Sequence, residues 1–413
     1  MIDIDDLCAG YGGEDIIREI TFGAEKGEFI GIIGPNGSGK TTLLKAISRV
    51  LETSGGVVTL EGRALSDFGQ KELARKMSVV PQETAMNFSY TVADIVMMGR
   101  FPYKERFAKE DAEDYRIVRE AMEVTNVAHL ADRAVTDISG GERQRVIIAR
   151  ALAQQPKVLL LDEATAHLDI NHQVEILSIV RDLGDTVTKI GVFHDLNLAA
   201  EFCDRIVLMA EGRVRAIGTP AEVLTVEHLQ NEYGITAMVQ TNPVTGRPLI
   251  MPLSEGVPSD LQGARIHIIS GGGTGAGLMY TLVAAGCTLS AGVLSPMDSD
   301  YAAALRLGIP CITVPAFAPI TNAVSDAFET YLDEADAIIL TAMPIGIGNL
   351  LNVHAVSGSR RSRLVLYQPP GEEFTDYTEA GDMSFLAPIR DAKCPVVSSR
   401  HGLYKAIRSL VKT

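Results

Sequence analysis

The sequence predicts an α/β protein of two domains, each built on a central sheet. The chain has 413 residues, 46% of them hydrophobic, which exceeds the size that one hydrophobic core usually serves. From residue 1 to about 240, short β-rich runs alternate with longer amphipathic stretches. A second alternation of the same kind follows a proline-rich segment and has the layout of a Rossmann-like, doubly wound domain.

Composition narrows the function classes. The formal net charge of −15 argues against a large surface for nucleic acid, so we expect no nucleic-acid partner. The five cysteines are scattered without CxxC or zinc-like spacing, which is typical of small buried side chains in a reducing cytosol. No uncharged 18-residue run and no signal-peptide pattern is present, and we expect a soluble protein.

The first domain is expected over residues 1–252 and contains a phosphate loop. The stretch "GPNGSGKTT" follows the strand-like run "EFIGII" and opens a helix, as in GxxxxGK[ST] loops. Its glycines let backbone N–H groups converge on phosphates, while Lys40 reaches the β and γ phosphates and the Thr41 hydroxyl reaches Mg²⁺. The predicted nucleotide contacts in this loop are Gly34, Pro35, Asn36, Gly37, Ser38, Gly39, Lys40, Thr41 and Thr42.

A helical subdomain is expected at about residues 88–155, where "KERFAKEDAEDYRIVREAMEVTNV" is charged, helical in period and free of proline. It ends in "ISGGERQRVIIARALA", in which Ser139, Gly140 and Gly141 precede an amphipathic helix and can offer N–H groups to an anion. Taken alone, this turn is also a plain helix cap.

The run "KVLLLDEAT" predicts a buried strand that ends at Asp162 and Glu163. Asp162 can hold Mg²⁺, and Glu163 can polarise the attacking water. Two acids after a strand usually cap a helix, and the upstream phosphate loop is what favours the catalytic interpretation here.

Residues 253–262 are expected to be a linker, and residues 263–413 a Rossmann-like domain. Its first turn, "GGGTGAG" at Gly271–Gly277, fits G-x-G-x-x-A but lacks the distal acid of dinucleotide sites and the lysine of phosphate loops. Three interpretations stay open: dinucleotide binding, another anionic or polar ligand, and a structural turn. The candidate ligand contacts are this turn, Ser295, Asp298, Asp300, Asn349, Asn352 and His354.

Residues 1–252 resemble the ATP-binding cassette (ABC) ATPases, because the phosphate loop, "ISGGE" and "LLLDE" occur in that family's order. The resemblance implies an ABC-type P-loop NTPase fold with a RecA-like core, a helical subdomain and an N-terminal antiparallel β subdomain. It also implies that Tyr11 stacks on adenine, that Gln82 senses Mg²⁺ and the γ-phosphate, and that His194 contacts the γ-phosphate. Ala166–Asp169 matches the loop that communicates across the dimer. Ile138, Ala164 and Ala166 depart from the usual residues without removing a catalytic group.

The same resemblance implies an ATPase that uses ATP and Mg²⁺, the metal being held by Thr41, Gln82 and Asp162. Two copies would enclose each ATP, with Ser139 and Gly141 acting across the dimer. We expect the chain at the cytoplasmic face of the membrane, bound to permease subunits and working indirectly with a substrate-binding protein.

The stretch "TVADIVMMGRFPY" resembles importers of iron–siderophores, haem and cobalamin, and the apolar Val96, Met97, Met98, Phe101 and Tyr103 are expected to form the permease interface. A mechanical role outside transport is the alternative. The C-terminal domain is expected to bind a ligand and regulate the ATPase, or else to be an enzyme that acts on the imported cofactor.

Overall fold

The computed structural model describes residues 1–82, 90–105, 108–165, 168–252, 261–315, 318, 324–356, 362–378, 386 and 394–411. The chain divides into a first unit, Met1–Met251, and a second unit, Pro252–Thr413. Three parts of the sequence predictions lie outside the described residues: most of the expected linker (253–260), the first two residues of the expected helical subdomain (88 and 89), and Ala166 with His167.

The strands of the first unit are β1 (Ile2–Tyr11), β2 (Glu14–Ala24), β3 (Phe29–Ile33), β4 (Thr53–Leu60), β5 (Arg63–Ala64), β6 (Met77–Val80), β7 (Val158–Leu161), β8 (Thr188–Val192), β9 (Arg205–Ala210), β10 (Arg213–Gly218), β11 (Ala237–Thr241) and β12 (Pro248–Pro252). Its helices are α1 (Lys40–Ile47), α2 (Gln70–Ala74), α3 (Val92–Met97), α4 (Ala112–Val124), α5 (Gly140–Ala153), α6 (Ile170–Arg181), α7 (Leu196–Phe202), α8 (Pro220–Val223) and α9 (Val226–Tyr233).

The central sheet of the first unit has the order β10-β9-β3-β8-β7-β6, parallel except for β10. Every residue of β3, β7 and β8 is buried, because helices and the second sheet cover both faces, and such strands are continuous apolar runs in the sequence. The parallel strands β3, β6, β7 and β8 all end at the same edge, and that edge carries the site. A four-stranded antiparallel sheet, β2-β1-β4-β5, packs beside them.

The helices α3, α4 and α5 each begin at a reciprocal capping box. Thr91 pairs with Asp94, Asp111 with Asp114, and Ser139 with Glu142. Their apolar faces meet in one core that includes Val92, Val118 and Val146. The charged run that predicted a helix therefore forms α4, with its glutamates and arginines on the outer face.

The strands of the second unit are β13 (Arg265–Ile269), β14 (Thr288–Leu294), β15 (Cys311–Thr313), β16 (Ala337–Thr341), β17 (Pro344–Gly346), β18 (Leu364–Tyr367), β19 (Thr375–Tyr377) and β20 (Val396–Val397). Its helices are α10 (Ala276–Ala284), α11 (Ser299–Arg306), α12 (Ser325–Glu334), α13 (Leu350–His354) and α14 (Arg400–Val411).

The main sheet of the second unit is parallel, in the order β15-β14-β13-β16-β18-β20. Counted along the chain this is 3-2-1-4-5-6, the doubly wound order in which ligands bind where the strand order reverses. Two hydrophobic clusters cover the two faces of the sheet. The predicted Rossmann-like fold class is confirmed, and the reversal lies between β13 and β16.

Among the described residues, no helix is both long enough and apolar enough to cross a bilayer.

Candidate functional site

The phosphate loop, Gly34–Thr42, joins β3 to α1 and depends on glycine at two positions. A Cβ at Gly34 would overlap the carbonyl oxygen of Met209, a backbone atom that cannot swing aside. Gly39 has a φ of +96°, which disfavours any L side chain, and it also lies against Ile17. The loop therefore keeps its backbone exposed toward the edge of the sheet, as a cradle for phosphates needs.

Lys40 lies inside this loop and is 5% exposed. Its Nζ donates to the carbonyl oxygens of Gly34 and Pro35, at 2.9 Å each. Burial lowers the pKa of Lys40, and the nearby Glu163 carboxylate opposes that shift. The ammonium group is thus held at the loop by its own backbone, next to the acid that follows β7.

Glu163 is the centre of a cluster of three side chains from three strand ends. Its Oε2 accepts from Nε2 of Gln82 at 2.6 Å, and its Oε1 lies 2.6 Å from Nε2 of His194. Gln82 follows β6, Glu163 follows β7 and His194 follows β8. The predicted residues Lys40, Gln82, Glu163 and His194 therefore meet at one edge of the sheet.

Asp162 immediately precedes Glu163 at the end of β7. Its Oδ1 is buried and makes no hydrogen bond within the part of the chain that is described. Burial raises the pKa of Asp162, the neighbouring Glu163 adds to the rise, and Lys45 opposes it. Burial of a carboxylate oxygen without a hydrogen-bond donor is unfavourable, and a bound cation would compensate for the missing donor.

These residues fit a magnesium ion. Mg²⁺ prefers oxygen ligands and usually takes one or two carboxylates, the remainder coming from water and phosphate. Asp162 offers the unpaired carboxylate oxygen, and Thr41 and Gln82 offer a hydroxyl and an amide oxygen. No cluster of three His, Cys, Asp or Glu side chains suited to a metal is found among the described residues. A site made of one acid, neutral oxygens and substrate phosphates is consistent with that.

Three other predicted residues lie on different elements. Tyr11 ends β1 and is 49% exposed, so its ring face is available for stacking. Ser139 is the N-cap of α5, where its N–H and hydroxyl both donate to Glu142. Asp169 is the N-cap of α6 and accepts from the N–H of His172 at 3.0 Å. Among the described residues, the side chain of Ser139 bonds Glu142 and that of Asp169 bonds His172, and neither reaches the Glu163 cluster.

A groove in the helical subdomain, here called the docking groove, has a volume of about 730 Å³. Met97, Met98 and Phe101 line it, together with Tyr90, Ala93, Asp94, Glu110, Tyr115, Val118, Arg119, Met122, Glu123, Ala128 and Ala131. The prediction that Val96 is part of an exposed interface is wrong, because Val96 is fully buried in the core of α3, α4 and α5. Tyr103 does not line the groove either; its hydroxyl donates to the carbonyl oxygen of Gln154.

In the glycine turn of the second unit, Gly271–Gly277, backbone N–H groups already donate hydrogen bonds to carboxylates of the same chain. Asp300 is fully buried and accepts from the N–H groups of Gly275 at 3.1 Å and Ala276 at 2.7 Å. Gly272 donates to Asp298 at 2.9 Å, and Asp298 also caps α11. The amides that would cradle a pyrophosphate are therefore occupied by carboxylates, which argues against the dinucleotide interpretation.

Asn349 and Asn352, two of the candidate ligand contacts, hydrogen-bond to backbone groups within the second unit. Asn349 occupies the N-cap position of α13 without capping it; its side chain instead bonds Gly346 and Pro344. Asn352 is 1% exposed and donates to Val293. Both were candidate ligand contacts, and Asn352 is too deeply buried to be accessible to a ligand from solvent.

Sequence reasoning missed two residues that contact this site. Tyr233 at the end of α9 is bonded to the Gly34 backbone; burial raises the pKa of its phenol and that bond opposes the rise. His172 packs against Gly141 in the first turn of α5. No local pattern marks Tyr233, because it is far from the phosphate loop in sequence. His172 lies three residues after Asp169, the end of the stretch that resembles the loop across the dimer.

Residues 17–166 match the family described as ABC transporter, and residues 289–404 match the MJ0874 family. The cobalamin import ATP-binding protein BtuD of Halobacterium salinarum is 37% identical over 346 residues, covering 83% of this chain and 86% of that one. The ferric enterobactin transport ATP-binding protein FepC of Escherichia coli is 38% identical over 255 residues, 61% of this chain and 94% of that one. A metal-chelate type ABC transporter solved in an inward-facing conformation is similar with a TM-score of 0.54 and 28% identity, covering 61% of this chain and 96% of that one.

Proposed function

The chain belongs to the ATP-binding subunits of ABC transporters, and from that premise we propose that its ATP hydrolysis powers uptake of a metal-chelate compound through a separate permease. The observation that carries the chemistry is the Glu163 cluster at the strand edge beside Lys40. The proposed cargo is a corrinoid such as cobalamin, an iron–siderophore or haem.

In this proposal the phosphates of ATP lie over the phosphate loop. The loop amides and Lys40 bind them, and Tyr11 stacks on the base. Thr41, Gln82 and Asp162 would hold Mg²⁺, which would neutralise charge on the phosphates of ATP. Glu163 accepts a hydrogen bond from the attacking water. Gln82 and His194 hold the two Glu163 oxygens, so the carboxylate is oriented before the water arrives.

A second copy of the chain is proposed to complete the site. In one chain, Ser139 bonds Glu142 and not the Glu163 cluster, so the turn before α5 is available to another protomer. The N-terminus of α5 carries partial positive charge that suits a γ-phosphate. Enclosure of ATP between two copies makes closure depend on ATP, and hydrolysis then allows release.

The Glu163→Gln substitution tests the catalytic assignment. The amide keeps the shape of the side chain but cannot accept the water proton, so we expect ATP turnover to fall by about 100-fold or more while ATP binding persists. The variant should also accumulate as an ATP-bound dimer, measured by size-exclusion chromatography with light scattering. Glu227→Gln, an exposed acid at the start of α9, is the matched control. Turnover retained by Glu163→Gln would contradict the assignment.

The permease is proposed to insert a short segment into the docking groove. The groove floor is apolar, with Phe101 and Tyr115 59% and 60% exposed. Three acids, Asp94, Glu110 and Glu123, stand at this groove against one base, Arg119. This chemistry suits a segment with apolar side chains on one face and at least one lysine or arginine at its edge.

A corrinoid is the favoured cargo for one reason. The match to the cobalamin importer subunit spans 346 residues, more than the 251 residues of the first unit, so it continues into the second unit. The match to the enterobactin importer subunit spans 255 residues. Uptake of radiolabelled cyanocobalamin by the chain co-expressed with its permease tests this. Transport of a ferric siderophore or haemin instead would reassign the cargo, and no transport at all would favour the mechanical alternative.

We further propose that the second unit binds a small ligand other than a dinucleotide and regulates hydrolysis. The strand order reverses between β13 and β16, and the glycine turn beside them is filled by Asp298 and Asp300. In the full chain carrying Lys40→Ala, cyanocobalamin should raise Tm while NAD should not. The reverse result would restore the dinucleotide interpretation, and conversion of the corrinoid would make the unit an enzyme.

A further inference from the structure

The first turns of α5 and α6 are in direct contact through Gly141 and His172. A Cβ placed on Gly141 would lie 2.7 Å from Cγ and 2.8 Å from Nε2 of the His172 ring, closer than side-chain atoms approach one another. Gly141 is buried, and its φ is not among the positive values of the chain. Glycine is therefore needed at 141 because the imidazole ring fills the space, independently of any nucleotide.

The ring cannot easily turn away from Gly141. Asp169 Oδ1 accepts from the His172 N–H at 3.0 Å and lies 2.8 Å from Nδ1 of the same residue. One carboxylate oxygen thus fixes both the backbone and the ring of His172. The N-cap of α6 and the turn that begins α5 are joined through a single side chain.

A second contact joins the same helices about one turn further along. Arg145 of α5 is 9% exposed in its side chain, and its Nη1 lies 2.5 Å from Oε2 of Glu175 in α6. Because most of the guanidinium is out of water, this pair is held more firmly than an exposed ion pair. The spacing between the two helix starts is therefore set at two points.

We propose that His172 is a positioning residue that holds Ser139–Gly141 and Asp169 in one fixed arrangement, so that each protomer presents them together to the nucleotide of its partner. The inference rests on the proposed function, in which these groups act across the dimer. Ser139–Gly141 lies at the N-terminus of α5, and Asp169 lies at the N-terminus of α6. A tilt of one helix relative to the other would therefore displace N–H donors from the γ-phosphate. A misplacement of about 1 Å at such a site costs about 100-fold in rate.

The test uses dimer trapping in the full chain. Glu163→Gln alone should form the ATP-dependent dimer, and failure of this parent would count against the proposed function rather than against His172. With His172→Ala added, we expect the ATP concentration needed for half-maximal dimer formation to rise by about 10-fold or more. ATP binding by the monomer, followed with a fluorescent analogue, should change less than about twofold because Lys40 and Tyr11 are untouched.

Two further variants separate positioning from general stability. His172→Phe keeps a flat ring against Gly141 but loses the contact of Nδ1 with Asp169, so it should recover only part of the dimer formation lost in His172→Ala. Val174→Ala, which removes an exposed side chain from the same helix, is the matched control. Undiminished dimer formation by His172→Ala, full recovery by His172→Phe, or loss of monomer ATP binding would each overturn the proposal.

Discussion

At the scale of single residues, the candidate site is built on backbone positions that only certain residues tolerate. Glu163 has a φ of +49°, in the left-handed region that costs a residue with a side chain about 1 kcal/mol. That conformation brings the carboxylate between Gln82 and His194, whose contacts offset the cost. Residues in such backbone regions cluster at functional sites, which is consistent with the role proposed for Glu163.

His267 is a second residue with an unusual environment. It is fully buried in β13, with Nδ1 2.8 Å from the Ser290 hydroxyl and its ring centroid 5.5 Å from that of Phe328 and 6.2 Å from that of Tyr331. Burial lowers the pKa of His267 to about 3. The folded second unit therefore holds a neutral imidazole throughout the neutral and mildly acidic range.

This burial predicts a pH dependence of stability. Unfolded His267 titrates near its ordinary pKa of about 6.5, so between pH 6.5 and 3 the unfolded state binds the extra proton. The His267 contribution should be fully present above pH 6.5 and be lost as pH falls toward 3. Hydrogen exchange of the β13 amides should show this loss of stability at low pH, and the loss should be smaller in the His267→Phe variant. Equal pH dependence in both proteins would contradict the assignment.

At the scale of elements, the segment Met98–Tyr103 after α3 lines part of the docking groove and also holds together the helices that form it. Arg100 is 5% exposed, donates to Asp114 at 3.0 Å and to the carbonyl oxygen of Ala153 at 2.9 Å, and stacks on Tyr103. It thus ties α4 to the end of α5. The motif that resembles importers therefore supplies Phe101, which lines the groove, and Arg100, which connects the helices that form the groove.

Removal of Arg100 should destabilise this subdomain. Arg100→Leu leaves Asp114 buried with Lys104 as its remaining cation, and we expect a loss of about 3 kcal/mol in the free energy of unfolding. Arg119→Leu, which breaks an exposed pair with Glu123, should cost less than about 1 kcal/mol. Urea unfolding followed by circular dichroism measures both. Recovery of stability in the double variant Arg100→Met, Asp114→Leu would support the burial argument, and equal effects of the two single variants would refute it.

At the scale of the whole molecule, the first unit contains the entire Glu163 cluster, the phosphate loop and the docking groove. The second unit has its own sheet and two hydrophobic clusters. In our proposal the chemistry and the permease surface therefore both lie in the first unit, and regulation is the role proposed for the second unit.

The docking groove predicts how assembly can be broken without loss of the ATP site. Phe101→Asp places a charge on the apolar floor, and we expect co-purification with the permease to be lost because burying an unpaired carboxylate is costly. ATP binding should persist, since Phe101 does not contact the phosphate loop. Val124→Asp alters an equally exposed apolar residue outside the groove and is the control. Permease binding that survives Phe101→Asp would move the interface elsewhere.

Much of this protein follows from the sequence itself. The phosphate loop, the acids after β7 and the family are encoded in contiguous motifs, because a strand, a turn and a helix form locally and their order fixes the chemistry. The two α/β units follow from periodicity and from the proline-rich segment between them. The capping boxes of α3, α4 and α5 are likewise readable as local patterns.

Other features depend on residues far apart in the chain, and only the tertiary structure decided them. Val96 reads as a surface residue but is buried, because α4 and α5 cover it. The sequence left three interpretations open for the glycine turn at Gly271–Gly277, and only the structure shows that Asp298 and Asp300, at the start of α11, occupy its amides. The contact between Gly141 and His172 joins residues 31 positions apart. Local sequence determines which groups are available, and packing determines which of them are already taken by the chain itself.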